Sequence, residues 1–241
     1  MLEDDVMVNP MDERTALERL EPDAWAAYLE EHSGLPGPRA NLTLVQAAAD
    51  TARAEVIDSL LQNNGEYQAM CAAAAAGRRA SDGSFELLAR SLAADDRWRV
   101  REGVVIGLQL LGDHDPGALS AIVSDWVTDR DPLIVRAAVT TICEPRLIRT
   151  PVAARIALDI CGRATSRLLE IPLSDRRRPA ARTLRQALGY CWSVAVVADP
   201  ETGLPAFTAL SHSADPDVAW IVRENRRKKR LAEFLAPPSE P

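Results

Sequence analysis

The chain has 241 residues, 47% of them hydrophobic and 26% charged, so it can bury a sizeable core and is too apolar for a disordered polyelectrolyte. A net charge of −7 argues against a chain that is a nucleic-acid binder as a whole. No apolar run approaches the roughly 18 residues of a membrane helix, so no membrane partner is expected.

The first residues, MLEDDVMVNPMDER, are acidic and lack the basic-then-apolar order of a secretory leader, which makes the cytoplasm the expected location. Residues 1–66 carry fourteen acids and four arginines, a balance of −10, and the rest of the chain balances at +3. DERTALERL and DAWAAYLEEH read as helices with Leu17, Leu20, Trp25, Tyr28 and Leu29 inward, and SGLPGPR breaks them. Asn41 is placed to cap NLTLVQAAADTARAEVIDSLLQ, which reads as one helix or two. EYQAMCAAAAAGRR follows as another helix, whose small run Ala72 to Ala76 suits close approach by a neighbour.

From Asp95 onward a pattern recurs. Val100, Val104, Gly107, Leu108 and Leu111 stand at i, i+4, i+7, i+8 and i+11, one face of a helix. Val135, Val139, Ile142 and Cys143 repeat that spacing, as do Leu184, Leu188, Cys191 and Trp192, and a last copy opens at Val222. The copies lie 35, 49 and 38 residues apart, a period that signals a helical solenoid. An apolar stripe precedes each copy and supplies a partner helix: Phe85, Leu88 and Leu92, then Leu119 to Trp126, then Val152 to Leu168, then Leu204, Phe207 and Leu210. Asp115-Pro116, Asp131-Pro132, Asp199-Pro200 and Asp215-Pro216 mark junctions, because aspartate caps free amides and proline tolerates a first helical turn.

Paired helices, an acidic-Pro turn and a Val-Arg opening resemble HEAT repeats, most clearly over residues 83–234. The resemblance implies an all-α, α-α superhelix of about five helix pairs: a helical cap with an acidic, disordered start over residues 1–40, a solenoid over 41–234 and a disordered tail over 235–241. It also implies a ladder between neighbouring repeats, in which aspartates before the second helices pair with arginines after their first turn. Arg101, Arg136, Arg185 and Arg223 occupy the arginine positions, with Asp95 and Asp217 as acidic partners. For function it implies a non-enzymatic scaffold that binds an unknown protein or peptide on its concave face.

No constellation of catalytic type stands out. Cys71, Cys143, Cys161 and Cys191 form no CxxC pair, and His32, His114 and His212 are far apart, so neither a metal nor any other cofactor is expected. The residues with the composition of a partner or anion contact are Trp98, Trp220, the insert Arg176, Arg177 and Arg178, and the run Arg226, Arg227, Lys228, Lys229 and Arg230. The competing reading is a nucleic-acid binder, or a HEAT-like alkylpurine DNA glycosylase using Trp98, Asp125, Trp126, Arg136 and Trp220.

Overall fold

The computed structural model describes residues 10–63 and 65–235; the expected disordered start and residues 236–241 of the tail lie outside them. Among the described residues there are fourteen α-helices, two short 3-10 turns and no strand. The chain divides into two compact units, residues 1–111 and 112–241. The helices before residue 40 belong to the first unit and pack on its other helices.

The first unit holds α1 (Pro10–Glu18), α2 (Trp25–Glu31), α3 (Leu42–Thr51), α4 (Ala54–Gln62), α5 (Glu66–Arg78), α6 (Gly83–Leu92) and most of α7 (Trp98–His114). Asn41 accepts the Leu44 amide and so starts α3, and the NLTLVQ segment is two helices, broken by extended backbone at Ala52 and Arg53. Helix α5 is buried all round from Tyr67 to Gly77, with α2, α3, α4 and α6 packed on it.

Its small residues let α7 come to backbone contact. A Cβ at Gly107 would lie 2.1 Å from the Ala74 carbonyl oxygen, one at Gly103 2.3 Å from that of Met70, and one at Gly77 2.8 Å from that of Val104. Gly103 and Gly107 are four apart and share one face of α7, so both yield space to the same neighbour. The alanine run therefore fixes an interhelix distance that no branched residue would permit.

The second unit holds α8 (Pro116–Trp126), α9 (Pro132–Ile142), α10 (Pro151–Glu170), α11 (Pro179–Ala198), α12 (Pro200–Ser211), α13 (Pro216–Arg226) and α14 (Lys229–Leu235). All four Asp-Pro junctions start helices: Asp115, Asp131, Asp199 and Asp215 each accept an amide of the first turn, with proline as the first helical residue. Thr150 and Pro151 do the same for α10. The successive pairs α8/α9, α10/α11 and α12/α13 pack on one another. The long interval in the repeat comes from two 20-residue helices, α10 and α11, and the polar insert between them.

Helix α11 is the hub of this unit. It touches α9, α10, α12, α13 and α14, and ten of its residues are buried. Three thiols converge beside it. Cys143 Sγ lies 3.5 Å from Cys161 Sγ, and Cys191 hydrogen-bonds with Cys143. The bond with Cys161 raises the Cys143 thiol well above its ordinary value, the bond with Cys143 does so for Cys191, and burial raises Cys161. All three are buried and protonated, which makes them core groups rather than nucleophiles.

Two glycine substitutions separate backbone contact from simple helix propensity. Gly107→Ala is expected to cost about 2 kcal/mol or more, since the new methyl meets backbone that cannot swing away. Gly162→Ala in α10, where a Cβ meets nothing within 4 Å, is expected to stabilise by roughly 0.5–1 kcal/mol. Urea unfolding midpoints of the two variants check both signs.

Candidate functional site

The residues expected to form a ladder take different arrangements. Arg101 donates to the carbonyl oxygens of Asp95 and Asp96, at 2.6 and 2.9 Å, not to a carboxylate. The Asp95 carboxylate is already occupied: Arg97 holds both its oxygens at 2.8–2.9 Å, and those bonds hold the carboxyl below the usual range. Arg136 is half-buried in α9. Arg223 is 62% exposed and lies 3.7 Å from Glu224.

Asp217 instead reaches across to the previous pair. Its two oxygens accept from Arg185 of α11 at 2.8 Å and from Arg176 of the polar insert at 3.4 Å. Arg176 is also 2.7 Å from Asp215, and it donates to the carbonyls of Ile171 and Leu169. With its side chain only 8% exposed, Arg176 is a buried tie between the insert and the start of α13. Burial pushes the Asp215 carboxyl up, but bonds from Arg176 and from the amides of Asp217 and Val218 outweigh it and leave it lowered. Arg185 is fixed further by Trp220, whose ring lies 4.5 Å beneath its guanidinium and rests on Gly189.

These groups form a cleft of about 550 Å³ lined by Leu173, Arg176, Arg177, Arg182, Arg185, Pro216 and Asp217. Its charges divide sharply. Arg176 and Arg185 are matched by Asp215 and Asp217, and Arg178 pairs with Asp175 at 3.1 Å. Arg177 and Arg182 are exposed and have no acidic partner among the described residues. Sequence reading placed Arg177 with Arg176 and Arg178 but passed over Arg182. The signal was present: Arg182 and Arg185 stand at i and i+3, neighbours on one face of α11.

The other candidate contacts lie apart from this cleft's lining. Trp98 opens α7 in the first unit, 54% exposed, with the Arg99 guanidinium 4.6 Å over its ring. Trp126 is wholly buried in α8. The basic run is split between two helices, since α13 stops at Arg226 and α14 starts at Lys229. Lys228 and Arg230 close over the Tyr190 ring of α11, at 5.7 and 4.7 Å, while Arg226, Arg227 and Lys229 face solvent.

One buried polar residue escaped sequence reading. Asn225 accepts from the Ser193 amide at 2.7 Å and donates to the carbonyls of Leu188 and Ile221, both at 2.8 Å, which sews α13 to α11. Its signal was an amide on an apolar face: Val218, Ile221, Val222 and Asn225 run i, i+3, i+4 and i+7.

Among the described residues no group of three or more His, Cys, Asp or Glu side chains is disposed to hold a metal ion, and each histidine stands at a helix end. Comparison with protein-family models, with curated proteins and with solved structures returned no match.

The two kinds of arginine respond differently to removal. Arg176→Ala leaves two carboxylates and two carbonyls short of a donor and is expected to cost about 2–3 kcal/mol. Arg177→Ala is expected to change stability by less than about 0.5 kcal/mol. Thermal or urea unfolding of the pair of variants tests the division.

Proposed function

We propose that the chain is a non-enzymatic scaffold of HEAT-like helical pairs, stacked as a superhelical solenoid, that binds a protein or peptide partner. The observation that carries this reading is the arginine-lined cleft, where guanidiniums are held in place before any ligand arrives. Arg185 is fixed by Asp217 and Trp220, so its side of the cleft loses little side-chain freedom when a ligand docks. Exposed Leu173 adds apolar contact beside the cations, a composition suited to a partner segment. The carboxylate that lines the cleft, Asp217, is committed to Arg185 and Arg176, which fits recognition better than proton transfer.

The exposed Arg226, Arg227 and Lys229 favour a second reading, contact with nucleic acid, but a chain of net charge −7 repels a polyanion overall. Capture from lysate of the chain's own cells, with and without nuclease, separates the two. The scaffold reading predicts one stoichiometric protein that survives nuclease and is lost when Arg177 and Arg182 are both changed to Ala. Capture that vanishes with nuclease contradicts it and moves nucleic acid to first place.

A further inference from the structure

We infer that the cleft takes a phosphate monoester, carried on a side chain of the partner segment. This rests on the scaffold reading and adds the chemistry of recognition. Charge matching is the first argument. Once the ion pairs of Arg176, Arg178 and Arg185 are set aside, Arg177 and Arg182 leave a charge of two at the rim, among the described residues. A phosphate monoester carries about −1.5 to −2 at neutral pH, whereas a carboxylate would leave one guanidinium without a counter-charge.

Geometry agrees. The planar guanidinium fork matches phosphate oxygens in pairs, and bonds of this kind are short and strong. Arg182 stands in the first turn of α11, a 20-residue helix with no side-chain cap at its N-terminus, so the helix dipole adds positive potential there. Arg185, 28% exposed and paired to Asp217, adds a further guanidinium to the lining. The cleft is larger than one phosphate group, and Leu173, 61% exposed, offers the remaining wall to an apolar neighbour of the phosphorylated residue.

The acidic chain also selects the carrier. One isolated phosphate on a peptide meets two free guanidiniums, whereas a nucleic-acid strand brings its charge to a protein of net charge −7.

The test uses the full chain and three degenerate peptide pools that differ at one fixed position: phosphoserine, serine or glutamate. Fluorescence anisotropy is expected to show at least tenfold tighter binding of the phosphoserine pool than of either other pool. Inorganic phosphate is expected to compete, and the R177A/R182A double variant is expected to lose the preference while unfolding at the wild-type midpoint. An R226A/R227A variant is expected to keep it. Equal binding of the three pools, or a preference unchanged in R177A/R182A, overturns the phosphate assignment. If that happens while nuclease-resistant capture from lysate still depends on Arg177 and Arg182, only the phosphate assignment falls. If capture fails as well, the scaffold reading falls with it.

Discussion

A single carboxylate shared by two guanidiniums organises the second unit. Asp217 sits at the start of α13, Arg185 on α11 and Arg176 on the polar insert, so one ionic contact joins three separate stretches of chain. The pattern is general in this protein. Arg163 and Arg167 of α10 reach the carbonyls of Ser124 in the last turn of α8 and Asp129 in the loop after it, Arg79 takes that of Ala49, and Arg146 holds Asp113. Helix ends leave carbonyls without partners, and a planar cation with five donors can satisfy several at once. A chain with 26 arginines and two lysines is well supplied for fastening of this kind. Committing Arg176 and Arg185 to structure is also what leaves Arg177 and Arg182 distinct.

The first unit is held by a different means. Around α5 the fit depends on absence of side chain: Ala72 to Ala76, Gly77, Gly103 and Gly107 bring two backbones together. Dispersion across so close a contact is gained over many atoms, and the sparse side chains lose little rotamer freedom. Each unit is thus arranged round one central helix, α5 or α11, with other helices packed on several sides.

What could be read from the sequence was local. The four Asp-Pro junctions start helices because capping is decided by residues two or three apart. The paired apolar stripes gave the helices and their order, because helical period is a short-range property. The acid–base partners were not legible, since Arg185 meets Asp217 from 32 residues away and Arg97, two residues along, claims Asp95 first. The convergence of Cys143, Cys161 and Cys191 was hidden for the same reason: each looked like an isolated small apolar residue until three elements met. Asn225 and Arg182 were accessible to a stricter count of helical faces.

The most direct test is a double-mutant cycle on Arg185 and Asp217, using Arg185→Ala, Asp217→Ala and the double variant in urea unfolding. If Asp217 is the shared anchor between α11 and α13, the two losses are strongly non-additive, with a favourable coupling of about 1.5 kcal/mol or more. Additive losses, with coupling below roughly 0.5 kcal/mol, would mean that the contact is incidental and that the cleft is not built upon it.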